Sequence, residues 1–496
     1  MEPYLTQSRS FVLRARTRNG VFWRSAILTG GSLICLSISP WLSALFGLVF
    51  SIFLLRPATA IFCLLGLAAL LPQGNLNIFG PEAGEPAIEF ILVWAALFLS
   101  ALLIVRGDWR IGTVTKITLI AAGLGGLITL ATSGALVVSI FALAQFLVPL
   151  CALSIWLDNL FRPTTCAFEA PYAVAGVLTA FAFGCLGVYV VGNGYEYNKV
   201  DFNGLAWQPQ IVGLFLAPLA VLILYLRRLS LWLRLTILTV SVGLIWLAWS
   251  RTGLGGLVLV AAIEATRFAL KKLWKPASAS EGSGKRLRRS LSRLGLGGLY
   301  AACVIGSLWY ASGTSTAVIK PDAPSQLFNL EGYTASRGMP IARSYGNIEG
   351  HLATGIGFGV PSDPRLLDPY TAIENLRILK TEGRFEILID KGNSYVAIFE
   401  EAGLLGAPIW LALFFFMLYR VAETGPVGRA LAILFLVCAL GEAIVFSVSG
   451  IGLLHWASLI AAAGFAKQPR RRVSHLVPAE YTYDKLVKNR RAEDRN

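Results

Sequence analysis

Arg251 stands between two apolar stretches, Leu244 to Trp249 and Leu254 to Leu259, with no acidic residue beside it in sequence. An arginine at the centre of a membrane span costs about 3 kcal/mol unless it reaches water or meets an anion. Its guanidinium is permanently charged and matches phosphate oxygens two at a time. Read alone, the same residue serves equally well as an interfacial anchor whose head reaches water. A second set follows Pro340. A helix starting at that proline puts Arg343, Asn347 and His351 at i, i+4 and i+8, on one face. Such a face suits an anionic substrate, with the imidazole as a base. The plainer alternative is a solvated polar stripe, and Gly346 and Gly350 weaken the helix.

Gly355-Ile356-Gly357-Phe358-Gly359 permits tight turns and close backbone approach. No Gly-Lys-Ser/Thr follows, so it is not a nucleotide phosphate loop. Glu400, Glu401 and Glu442 fall near the ends of apolar runs, where carboxylates either couple to protons or hold basic residues in place. Glu264 and Arg267 are spaced for a local ion pair. His455, alone on an apolar run, reads as a hydrogen-bonded core residue. Three scattered histidines argue against a metal site, and seven cysteines in or beside apolar runs argue against disulfides.

The elements that position these residues are apolar runs. The chain has 496 residues, 55% hydrophobic and only 14% charged, where a soluble domain has about 25% charged residues. No soluble core absorbs so many apolar runs, so the bilayer is the solvent and the spans are helices. The expected fold is an all-α polytopic membrane protein with fourteen transmembrane helices and one large folded extracytoplasmic loop. The runs lie near 25–40, 41–55, 58–72, 88–105, 116–132, 135–156, 171–191, 210–226, 231–249, 252–269, 294–312, 395–419, 427–445 and 449–466. Twelve spans is the alternative, because the first two runs are short.

Charge placement orients the chain. With both termini cytoplasmic, 33 of the 43 Lys and Arg fall inside and ten outside. That distribution explains the net charge of +15 without nucleic acid. The order is then a basic cytoplasmic N-terminus (1–24), read as leading into an uncleaved signal anchor, and a first part of the bundle (25–312) with a basic linker at 271–293. An extracytoplasmic loop domain (313–393), the rest of the bundle (394–466) and a basic cytoplasmic tail (467–496) follow. The basic clusters set topology and attract anionic membrane lipids. The loop carries nine of the 28 acidic residues and enough aromatic and aliphatic side chains to fold.

Three pieces, in this order, resemble the O-antigen ligase and polymerase superfamily of bacterial envelope glycosyltransferases. They are Trp249-Ser250-Arg251-Thr252-Gly253 at a span boundary, Arg343 with the 355–359 glycines, and Asn393-Ser394-Tyr395 followed by Glu401-Ala402-Gly403-Leu404-Leu405-Gly406. The likeness covers about residues 195 to 420. Lipid A core ligases of the family carry His-Asn where this chain has Gly392-Asn393, so the departure favours polymerisation of O-antigen or exopolysaccharide repeats over ligation.

The resemblance implies glycosyl transfer between polyprenyl-diphosphate-linked oligosaccharides at the outer face of the bacterial cytoplasmic membrane, without metal or cofactor. Arg251 and Arg343 would stabilise the departing diphosphate, with Lys199 and Arg337 in support. Asn347, Asn393 and Tyr395 would help bind substrate, and His351, Glu349 or Asp390 would act as base. A chain-length regulator and a flippase become partners to look for. A ligase, or from a different class a membrane transporter or flippase, is the alternative.

Overall fold

The computed structural model describes residues 2–73, 86–195, 202–206, 208–273, 298–299, 301–309, 330–363, 365, 391–446 and 450–466. Residues Met1–Phe465 form one compact unit. The described residues are mostly helical, with no β-strand among them. The helices are α1 (Glu2–Leu36), α2 (Pro40–Leu54), α3 (Pro57–Leu70), α4 (Pro86–Val105), α5 (Thr113–Thr132), α6 (Leu136–Asp158) and α7 (Ala170–Val190). They continue with α8 (Pro209–Tyr225), α9 (Leu231–Leu247), α10 (Arg251–Leu273), α11 (Leu330–Gly350), α12 (Ser394–Ala422), α13 (Pro426–Gly441) and α14 (Gly450–Ala462).

Every apolar run read from the sequence coincides with a helix, the 294–312 run being helical at 298–299 and 301–309. Among the described residues, five helices are long and apolar enough to cross a membrane: α4, α5, α6, α7 and α12. Six others, α2, α3, α8, α9, α13 and α14, are apolar but shorter. Ile27, Ile34, Phe53, Phe98, Leu127 and Trp232 are exposed on the outside of the bundle, a surface that suits lipid and not water.

Local chemistry sets the helix starts. Proline opens or nearly opens α2, α3, α4, α7, α8 and α13, where its missing N–H has no intrahelical partner to lose. The start of α5 is capped from a distance. Asp158, at the end of α6, accepts from the backbone N–H of Gly112 (2.9 Å), Val114 (3.0 Å) and Thr115 (2.8 Å), and from the Thr115 hydroxyl (2.7 Å). One carboxylate thus closes three donors at the positive end of a helix dipole. Helices α3 and α8 are buried almost all round and form the centre, as uniformly apolar helices must. Phe62 of α3 meets Trp156 of α6 edge-on there.

The basic N-terminal stretch is part of α1, which runs unbroken from Glu2; no proline lies between Pro3 and Pro40 to stop it. One expectation needs correction: the loop helix does not begin at Pro340. Helix α11 starts ten residues earlier and passes through the proline, giving up one backbone hydrogen bond there. Its packing against α12 holds the helix together across that gap.

Candidate functional site

Arg251 opens α10 at a tight joint with α9. The α9 end closes with Ala248 N–H to Leu244 O, Trp249 N–H to Trp246 O and Ser250 N–H to Ile245 O. Trp249 takes φ 49°, the left-handed conformation that normally falls to glycine at this position. Gly213 of α8 lets the joint sit close, since a Cβ there would fall 2.0 Å from the Ser250 side chain. Arg251 is consequently the first residue of a helix. A cation at the positive end of a helix dipole weakens the helix. It adds instead to the attraction for an anion at that end.

The same end of the bundle gathers α12 and α13. Thr252 packs where Gly441 lacks a side chain, a Cβ there lying 2.4 Å from its hydroxyl. The next residue, Glu442, pairs with Arg337 of α11. Arg337 in turn lies along Gly392, with its Cδ 3.5 Å from where a Cβ would be. Asn393 caps α12: its Oδ1 accepts from Tyr395 N (2.9 Å) and Val396 N (3.2 Å), while its Nδ2 donates to Ser307 Oγ (3.2 Å) and Leu440 O (3.0 Å). The Ser394 hydroxyl donates to Glu442 O at 2.7 Å and accepts from Ile444 N at 2.8 Å.

Helix α12 is broken at Gly403, with φ 58° and ψ −171°. In an unbroken helix Leu404 N–H would bond to Glu400 O, and Leu405 N–H to Glu401 O. Here the segment after α11 takes both sides of those two rungs. Leu404 and Leu405 donate to Leu352 O (2.9 Å) and Ala353 O (3.1 Å), while Glu400 O and Glu401 O accept from Ile356 N (2.8 Å) and Gly357 N (3.0 Å). Irregular backbone at membrane depth persists only where protein satisfies it, and this exchange does so.

The glycines of the motif make the fit. Gly355, Gly357 and Gly359 all have positive φ, and a Cβ on Gly355 would meet the Glu401 carbonyl at 2.5 Å. Phe358 is fully buried against Phe146 of α6 and Trp410 of α12. This part of the expected external loop therefore belongs to the bundle. Its polarity reads as loop, but its glycines let main chain replace main chain inside a helix.

Below that splice lies a buried ionic network. Glu400 accepts from Asn347 Nδ2 (2.6 Å) and Ser362 Oγ (3.0 Å), and Lys391 Nζ is 3.4 Å from Glu400 and 3.1 Å from Glu401. Burial works against the Lys391 ammonium, yet the two carboxylates outweigh it and hold its pKa above the ordinary lysine value. Glu400 and Glu401 thus take the second role read from the sequence, holding a base in place. One residue on, Asp363 carries Arg343 and Arg365. Arg343 Nη1 is 3.3 Å from Oδ2, and Arg365 reaches both carboxylate oxygens at 2.6 and 2.9 Å. The Arg365 side chain, helped by its backbone N–H and by Arg343 and opposed by burial, brings the Asp363 carboxyl down to about 2.

Of the residues picked out in sequence, Arg251, Arg337, Arg343 and Asn347 stand on elements that meet at this end. Arg343 and Asn347 share a face of α11 as expected. His351 lies just past the helix, exposed, with Nδ1 3.3 Å from Asn347 O, and Glu349 is exposed beside it. Asn393 and Tyr395 sit in the frame and not at its surface. Both are buried, and the Tyr395 hydroxyl donates to Leu436 O at 3.0 Å. Lys199 and Asp390 lie outside the described residues.

Asp363, Arg365 and Lys391 do not stand out in the sequence, because each is one charge among many in a charged stretch. The Asp363-Pro364-Arg365 spacing was the available signal. Away from this end, Arg267 and Glu264 pair at 3.1 Å, and His455 is buried with Nδ1 3.0 Å from Ile451 O, both as read from the sequence.

Comparison with protein-family models and with curated proteins finds no match for this chain. The site must be argued from its own chemistry.

Proposed function

We propose that this protein polymerises polyprenyl-diphosphate-linked oligosaccharide repeats, of the O-antigen or exopolysaccharide kind, at the outer face of the bacterial cytoplasmic membrane. The observation that carries the reading is the gathering of two arginine-bearing helices, with three arginines, at one end of the bundle. The first turn of α10 with Arg251 packs at Gly441, and α11 with Arg337 and Arg343 lies against the adjoining ends of α12 and α13. In the orientation set by the basic residues, with fourteen spans and both termini cytoplasmic, that end faces outward. The resemblance of the same three stretches to the ligase and polymerase superfamily points the same way. Gly392, in place of a histidine, favours polymerisation over ligation.

In this reaction a hydroxyl of one lipid-linked unit attacks the anomeric carbon of another. The bond from that carbon to the lipid diphosphate breaks, the diphosphate takes the electron pair, and the hydroxyl proton passes to a base. Negative charge grows on the leaving group, so fixed guanidinium groups stabilise the transition state more than the ground state. Arg251 and Arg343 supply them, with Arg337, held by Glu442, in support. His351 and Glu349, exposed at the end of α11, are the described candidates for the base.

Reconstitution of the purified protein with lipid-linked repeat, with and without chelator, tests the reading. Polymer is expected in both, and Arg251→Lys and Arg343→Lys are each expected to lower its formation by about a hundredfold or more, since the charge survives but the fork does not. Polymer lost on chelation, or wild-type polymer from either variant, overturns it.

A further inference from the structure

Away from the arginines, Glu89 is a carboxylate that nothing in the described fold answers. It stands in the first turn of α4, is 7% exposed, and lines a cavity between α4, α6 and α14. The other walls are Gln145, Phe146 and Pro149 of α6, Leu453 and Trp456 of α14, and two further leucines. Among the described residues, neither the Glu89 nor the Gln145 side chain makes a hydrogen bond or an ion pair. The other buried carboxylates are all answered. Glu169 takes Arg56 and Thr59, Asp363 takes Arg343 and Arg365, Glu400 and Glu401 take Lys391, and Glu442 takes Arg337. A carboxylate within a membrane helix marks an ion or proton site by default. The first turn of a helix suits its negative charge, and a charge held out of water needs a counter-charge.

Helix α6 supplies the remaining oxygens. Pro149 lies inside it and has no N–H to offer the Gln145 carbonyl, four residues back. Both residues line the cavity, so a released main-chain oxygen joins the Gln145 amide and the Glu89 carboxylate at its wall. Carbonyls freed where a membrane helix is interrupted are ligands for sodium. The cavity volume is about 10 Å³, room for a single water-sized group.

We propose that Glu89, Gln145 and the Pro149 break form a binding site for one small monovalent cation, sodium, between α4, α6 and α14. One carboxylate cancels one charge. A calcium ion takes about six to eight oxygens and a magnesium ion keeps several waters, for which this cavity has neither the ligands nor the room. An added proton occupies no volume, so the cavity favours an ion. Occupancy reaches beyond the cavity through Phe146, which also packs on Phe358 at 5.6 Å and on Trp410 and Phe446 at 5.9 Å. A filled site therefore braces the splice in α12 from behind. The site is independent of the proposed function.

The experiment uses the full chain in phosphatidylcholine nanodiscs, with choline chloride replacing sodium chloride at constant ionic strength. Radiolabelled sodium is followed by scintillation proximity, and thermal unfolding by tryptophan fluorescence. A single sodium ion per chain is expected to bind, displaced by unlabelled sodium and not by choline. The Tm is expected to rise with sodium until the site fills. Glu89→Gln keeps the shape, removes the charge, and is expected to weaken sodium binding by about a hundredfold or more. Glu264→Gln, which breaks the Arg267 pair on α10, should leave it unchanged.

Pro149→Ala gives the deciding sign. It returns an N–H to the Gln145 carbonyl, so a merely structural proline yields a more stable helix with the same sodium affinity. A proline that frees a ligand instead gives sodium binding about tenfold weaker. No binding above that of empty discs, displacement by choline as readily as by sodium, or wild-type affinity in either Glu89→Gln or Pro149→Ala overturns the proposal. A Tm that responds to calcium and not to sodium overturns it too. Should Glu89→Gln fail to fold, Pro149→Ala and Gln145→Leu, the latter also expected about tenfold weaker, still decide.

Discussion

Two ion triads stand within a few residues of each other and have opposite character. Lys391 with Glu400 and Glu401 is two acids and one base, buried on every side. Asp363 with Arg343 and Arg365 is one acid and two bases, with the bases open to water. They share their supports, since Ser362 and Asn347 serve the first while their neighbours Asp363 and Arg343 make the second. In a dry surrounding, charges must be paired or the fold suffers, and removal of one partner costs about 3–5 kcal/mol. At a wet surface the same kind of pair contributes about 0–1 kcal/mol. The first triad can therefore lock the loop to α12, while the second can exchange partners cheaply. A structural knot and an open cluster are distinguished by burial more than by composition.

That contrast can be broken or sharpened in order of expected effect. Lys391→Ala leaves Glu400 and Glu401 buried without their cation, and is expected to lower stability by about 3–5 kcal/mol in thermal unfolding of the reconstituted protein. A loss no larger than that of a surface pair would erase the distinction.

Gly403→Ala comes next. Left-handed backbone costs a residue with a side chain about 1–2 kcal/mol, and the new Cβ would lie 2.4 Å from the Ala353 carbonyl. Limited proteolysis should then find the 352–357 segment released from α12. Continued protection would mean that the four main-chain bonds do not hold it.

Asn393→Ala removes the α12 cap and is expected to cost about 1–2 kcal/mol without abolishing polymer formation, as suits a residue of the frame. Complete loss of activity in a stable Asn393→Ala protein would return it to the substrate.

Arg343→Lys should shift stability by less than about 1 kcal/mol while suppressing polymer, the pattern reserved for the open triad. Smallest is the acid response of Asp363. Its folded pKa lies below the ordinary value of 3.8, so its contribution is present in full above that pH and lost as the pH falls toward 2. Thermal stability should consequently show no Asp363-dependent change between pH 8 and 5, which the Asp363→Asn protein checks by comparison.

Much of this molecule is legible one residue at a time. Apolar runs of helix-spanning length, prolines at helix starts and the lopsided placement of basic residues concern local composition and the solvent, and they locate every helix among the described residues that the runs foretold. Arg251 and Arg343 stand out because a permanent charge beside or beneath lipid needs a reason. The glycines of 355–359 announce a close approach of main chains. Their partner is not announced, because a hydrogen bond between residue 356 and residue 400 leaves no mark in the spacing of either.

Tertiary contact settled the rest. It turned a water-exposed loop into the repair of a broken helix, and it set Asn393 and Tyr395 among the buried supports. It chose, among many similar charges, Lys391 for the dry side and Arg365 for the wet one. Composition along the chain states which groups are charged; only the folded environment decides which of them is solvated, and electrostatic energy depends on solvation as strongly as on charge.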